Sequence, residues 1–166
     1  MTRRSRGREI ALQVLYQLEQ NPGTTPRDVD RFLARRLLGD AALVEFTKGL
    51  VSGVHEHKTR IDALISEAAE NWRIDRMAAI DRNILRIGAF EMLLCPEVPT
   101  KVAINEALEL AKRYSTAQSS RFVNGILDRL QVHVPSDAND ASEPSAEPAE
   151  PPIEDVATEP PPPADA

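Results

Sequence analysis

The chain has 166 residues, 20 Lys+Arg against 26 Asp+Glu, and a formal charge of −6. That average hides two polymers: residues 131–166 hold nine acids, nine of the 13 prolines and no Lys or Arg, so residues 1–130 carry +3 and the remainder −9. A body of about 130 residues makes one core and one domain, too small for most cofactor-dependent enzymes built on a doubly wound sheet with a second domain.

The predicted elements share one pattern, an apolar stripe of period 3.6 between turn signals. The first stripe is Ile10, Ala11, Val14, Leu15 and Leu18, ending before Asn21-Pro22-Gly23. Thr25 caps a second helix with Pro26 in its first turn, and Gly39 stops it after Val29, Phe32, Leu33 and Leu37. Asp40 caps a third, with Leu43, Thr47, Leu50, Val51 and Val54. Thr59 precedes a fourth, with Ile61, Leu64, Ile65 and Ala68, and Trp72 beyond it. The fifth runs from about Met77 to Leu94, and Cys95-Pro96 breaks it because proline disfavours helix in the residue before it. Pro99 opens a sixth, and Phe122, Val123, Ile126, Leu127 and Leu130 mark a seventh. Seven helices with short loops predict an all-α bundle. Residues 131–166, rich in Ala, Glu, Asp, Pro and Ser, hold too little apolar surface to offset their ordering entropy and are expected to be disordered.

No run of about 18 apolar residues is present to span a membrane. Glu9, Gln13, Gln17 and Glu19 interrupt the apolar stretch that a signal peptide needs after its basic start. A single cysteine, Cys95, excludes an internal disulfide and a Cys-based zinc site. The expected location is the cytoplasm.

Catalytic chemistry finds little support in the residues. His55 and His57 point about 200° apart on a helix and cannot share an ion. Glu67 with Glu70, and Glu106 with Glu109, read as solvated faces. No phosphate loop, nucleophile elbow or zinc spacing is present. No catalytic residue, metal or cofactor is expected.

The stronger signal is electrostatic. Arg3, Arg4, Arg6 and Arg8 fall within eight residues with no acid among them. Their planar forks match phosphate oxygens and stack on bases. A flexible arm of four such residues on single-stranded RNA predicts a salt slope of roughly −3. A second candidate surface is the start of the last helix, Gln118-Ser119-Ser120-Arg121-Phe122. Free amides there attract phosphate, and Phe122 is either a stacking surface or a core residue on the stripe of Ile126 and Leu130. Tyr16 lies off the main stripe of its helix and is a platform or an edge residue.

Val98 to Lys112, reading VPTKVAINEALELAK, and Phe122 to Asp128, reading FVNGILD, are very similar to the signatures of the bacterial transcription antitermination factor NusB family. Asp81 to Ile87 resembles that family's fifth helix, and Arg8 to Tyr16 its arginine-led first helix. The resemblance covers about residues 4–130. It implies an all-α fold of two roughly perpendicular three-helix bundles and no catalysis. It implies binding to boxA, a single-stranded RNA element of ribosomal RNA leaders, together with NusE, a small-subunit ribosomal protein. It further implies that the pair joins RNA polymerase with NusA and NusG. Carried over by position, the RNA side would use Arg4, Arg6, Arg8, Tyr16, Arg86, Gln118 and Phe122, beside Arg3 and Arg121 from the charge reading. The NusE side would use Asp75, Asp81 and Arg82, where acidic charge suits a basic protein.

The implied organisation is a flexible arm at 1–8, an RNA- and NusE-binding helical domain at 9–132 and an acidic tail at 133–166. Within the motifs, Asn105 and Asn124 are expected to bond backbone or a facing helix, and Gly125 to admit a helix or RNA. Relatives often carry an acid where Gln118 stands. The tail is no part of the family core; it either solubilises the chain or competes with RNA for the arm. Two other readings are a module like the N-terminal part of ribosomal RNA cytosine methyltransferases, without their S-adenosylmethionine domain, and a pure protein-interaction bundle. Some relatives form homodimers.

Overall fold

The computed structural model describes residues 1–70 and 72–136. Among these, seven α-helices and no strand are found. They are α1 (Arg3–Gln20), α2 (Pro26–Arg36), α3 (Ala41–Glu56), α4 (Lys58–Ala68), α5 (Ala79–Leu94), α6 (Thr100–Tyr114) and α7 (Ala117–Leu130). Short 3-10 turns at Ile74–Arg76 and Gln131–His133 complete the path. The expected acidic tail lies outside the described residues from 137 onward.

Local chemistry sets most boundaries. Thr2, Thr25, Asp40 and Thr116 each accept a backbone N–H three residues on, capping α1, α2, α3 and α7. At α2 the cap is reciprocal, because the Asp28 carboxylate also accepts the Thr25 N–H at 2.9 Å. After α2 the chain turns through Leu38 and Gly39, both at positive φ. α5 starts two residues later than its stripe suggests, because Met77 and Ala78 are extended after the 3-10 turn.

α5 is the central strut. It packs against α1, α3, α4, α6 and α7, and residues 83–89 along it are all buried. α1 lies against α3 and α5, α2 covers α1 and α3, and α4, α6 and α7 close around the other side of α5. Ile10, Leu12, Leu33, Ile61, Ile65, Ile84, Ile87, Met92, Ile126 and Leu130 are fully buried where these faces meet. The α3–α5 crossing depends on Gly53, since a Cβ there would overlap the Phe90 ring.

The arm expected to be flexible at 1–8 is helical from Arg3 onward. Residues 3–8 form the first turns of α1, held by the Thr2 cap. The helix starts there because Gly7, Arg8 and Glu9 are already buried against the bundle, so packing stabilises a segment whose charge alone suggested a free end. The helical body also extends past 132, as Val134 belongs to the core.

Candidate nucleic-acid interface

The N-terminal turn of α1 and the α6–α7 corner are neighbours. Arg6 donates to Glu9 at 3.0 Å, and the Tyr114 hydroxyl donates to the same carboxylate. Arg113 approaches Glu9 at 3.5 Å and Met1 Sδ at 3.7 Å. Ser115, next in the chain, donates to Asp81 Oδ1 at 2.7 Å, and Ser119 donates to Asp81 Oδ2 at 2.9 Å. A chain of contacts thus links Arg6 to the opening turn of α7, while Arg3 and Arg4 meet Asp40 and Phe46 at α3. Burial pushes the Glu9 carboxyl up, but the bonds from Tyr114 and Arg6 outweigh it and hold its pKa below the ordinary value. Burial and the Glu9 charge raise the Tyr114 phenol, which stays protonated and keeps donating.

Four of the expected surface residues lie inward. Arg8 is 3% exposed and grips Glu91 with two bonds of 2.7 Å, with Glu106 3.7 Å away and the Phe46 ring 5.4 Å from the guanidinium. Burial would lower its pKa, yet the Glu91 pair raises it overall. It is a strut between α1 and α5, not a free cation. Arg86 is 5% exposed; it bonds Asp62 at 2.8 and 2.9 Å and pairs with Glu19, joining α5 to α4 and α1. Arg82 bonds the same Glu19 at 2.8 Å and the Ile74 and Met77 carbonyls. Asp81 is 7% exposed, with both oxygens accepting the serine hydroxyls. Arg8 and Arg86 are therefore withdrawn from the RNA side, and Asp81 and Arg82 from the protein side, because each is already bound within the fold.

The remaining candidates reach solvent. Arg3 is exposed and paired with Asp40 at 2.7 Å, and Arg4 is exposed with its guanidinium 5.0 Å from the Phe46 ring centre. Arg6 is half-buried, while Tyr16, Gln118 and Arg121 are exposed. Asp75 is exposed beside Arg73. An exposed pair such as Arg3–Asp40 is screened by solvent, so a phosphate can displace the carboxylate at small cost.

Phe122 is neither sealed in the core nor fully exposed. It is partly buried against the core, and its free edge faces a cleft of about 220 Å³. Trp72, Arg76, Asp81, Gln118 and Ser119 line the same cleft. Trp72 is 60% exposed and meets Phe122 edge to face at 5.9 Å. The sequence reading missed Trp72 and Arg113 as members of this surface. Trp72 follows Glu70, whose positive φ takes the chain off the helical period, and Arg113 is close to Arg6 only through tertiary packing.

The motif expectations need correction as well. Asn105 and Asn124 are exposed, and a Cβ at Gly125 would meet open space. Among the described residues, Gly125 thus admits no other helix. No group of three or more His, Cys, Asp or Glu suited to a metal occurs among the described residues, and none of their helices is long and apolar enough to cross a membrane. Burial, with Glu97 and Glu91 near, pushes the Cys95 thiol up to about 12, so it is a poor nucleophile.

Comparison with known proteins agrees with this architecture. A model described as the NusB family matches residues 5–132. The transcription antitermination protein NusB of Myxococcus xanthus is 47% identical over 135 residues, covering 80% of this chain and 96% of that protein. The solved structure of T. maritima NusB superposes with a TM-score of 0.75 at 34% identity, covering 84% of this chain and 98% of that one. A chain from the crystal structure of antitermination factors NusB and NusE in complex with dsRNA has the same fold, with a TM-score of 0.71 at 24% identity over 80% of this chain and 98% of that one.

Proposed function

The chain belongs to the NusB family, and on that premise we propose that it is a transcription antitermination factor that binds boxA RNA together with NusE. It acts in the cytoplasm by binding alone. The pair joins RNA polymerase with NusA and NusG and holds nascent RNA near the elongating enzyme, so that premature termination is avoided.

One observation carries the RNA reading. Arg6, among the leading arginines of α1, is tied through Glu9 and Tyr114 to the corner that opens α7, where an aromatic cleft reaches solvent. Arg3, Arg4 and Arg6 supply charge to the phosphates, with Arg121 on the first turn of α7. Tyr16, Gln118 and Phe122 supply flat or hydrogen-bonding surface to unpaired bases. On the protein side, Asp75 is the exposed member of the three expected contacts and suits a basic partner.

The methyltransferase-module reading is not favoured, because the chain covers 96% of a relative named as an antitermination protein. Homodimers of the free protein would compete with RNA only if they cover the α1–α7 surface. The test is a titration of single-stranded boxA RNA with and without NusE. Binding that NusE strengthens, and that a scrambled sequence does not match, is expected. Equal affinity for the scrambled RNA in both arms would overturn the reading.

A further inference from the structure

Resting on the RNA-binding reading, we propose that Trp72 and Phe122 form a subsite for one unpaired nucleobase, with the Trp72 indole as its stacking face. Trp72 is the only tryptophan in the chain, and most of its surface faces solvent. It is nevertheless held in place. Its backbone N–H donates to Ala69 at 3.2 Å, and its ring meets Phe122 at 67° between planes. Phe122 is backed by the core and therefore works as a wall that fixes the indole while leaving one side of it open.

The rest of the cleft is polar. Gln118 stands at its edge with an amide that both donates and accepts, Thr116 and Ser119 carry hydroxyls, and Arg76 supplies a cation. Asp81, the one carboxylate among the lining residues, has both oxygens engaged by Ser115 and Ser119. A flat π surface, an amide at the edge and a nearby cation match the face, edge and phosphate of a nucleotide. The Thr116 and Ser119 hydroxyls are already engaged within the fold, but a purely apolar protein side chain would cover the Gln118 amide and give it no partner. The cleft also adjoins the corner that Arg6 reaches through Glu9 and Tyr114, so an RNA strand neutralised there passes its mouth.

The single tryptophan makes the subsite directly observable in the full chain. Single-stranded boxA RNA should quench Trp72 fluorescence, and the same RNA annealed to its complement should do so much less. Trp72→Ala should weaken single-strand binding on the order of tenfold, while Trp72→Phe keeps most of the affinity. The salt slope should not change in either variant, because stacking releases no counterions. Far-UV circular dichroism and the melting temperature should match the parent chain, since the ring is largely exposed.

Affinity of Trp72→Ala within twofold of the parent, or fluorescence unmoved at RNA saturation, would overturn the subsite while leaving boxA recognition intact. Loss of NusE binding with RNA affinity unchanged would overturn it too, and would give the ring to the protein partner. Absence of boxA binding by the parent chain itself would instead remove the RNA reading on which the subsite rests.

Discussion

Arg8→Met tests whether the fourth arginine is a strut or an RNA contact. The substitution keeps an unbranched side chain and removes the guanidinium. Glu91, with 1% of its side chain exposed, is then a buried carboxylate without its two-bond partner. Breaking one side of such a pair costs about 3–5 kcal/mol. The guanidinium also lies over Phe46, and losing that contact adds about 0.5–1 kcal/mol. A domain of this size loses roughly 3–5 °C per kcal/mol, so the melting temperature should fall by roughly 10–30 °C. Adding Glu91→Leu removes the orphaned charge, and the double variant should recover to within about 2 kcal/mol of the parent. Urea unfolding followed by circular dichroism measures all three chains. The double variant should also keep the parent's RNA affinity and salt slope. A single variant that loses under about 1 kcal/mol, or a double variant whose slope drops by about 0.7, would refute the strut.

Three further outcomes follow from particular contacts. Burial raises the Glu19 carboxyl, but Arg82 and Arg86 hold it at about 2 against an ordinary 4.5. Its folded pKa lies below its unfolded one, so its stabilisation is complete above about pH 4.5 and fades as pH falls toward 2. Urea midpoints measured across that range should fall, and Glu19→Gln should flatten the acid limb. Gly53→Ala should destabilise by about 1–3 kcal/mol because Phe90 occupies the space, whereas Gly125→Ala should be neutral or stabilise by up to about 1 kcal/mol in the same unfolding assay. Cys95 should be alkylated at least about a hundredfold more slowly in the native chain at neutral pH than in urea.

The helices were legible because each carries its own stripe and caps. Thr25, Asp40 and the Cys95-Pro96 break act within a few residues of where they stand. The site was legible only in part, because its charges are decided by distant partners. Arg8 meets Glu91 from 83 residues away, and Arg3 meets Asp40 from 37. A local signal for Arg8 did exist: three and seven residues before Ala11 and Leu15, it falls on the buried face of α1. Arg86 offered a similar hint, flanked by Leu85 and Ile87 on a helix apolar nearly all round. Asp81 offered none, since the serines that engage it come from the α6–α7 corner. Trp72 was hidden because it follows the last regular turn of α4, where period no longer predicts which side faces water.

The most direct test of the RNA surface is the salt dependence of boxA binding when Arg3, Arg4 and Arg6 are replaced together by Ala. These three, without Arg8, should account for roughly two units of the slope of log affinity on log salt. The slope should fall by about that amount while NusE binding holds and far-UV circular dichroism shows the helices intact. An unchanged slope would mean that RNA is gripped elsewhere on the molecule.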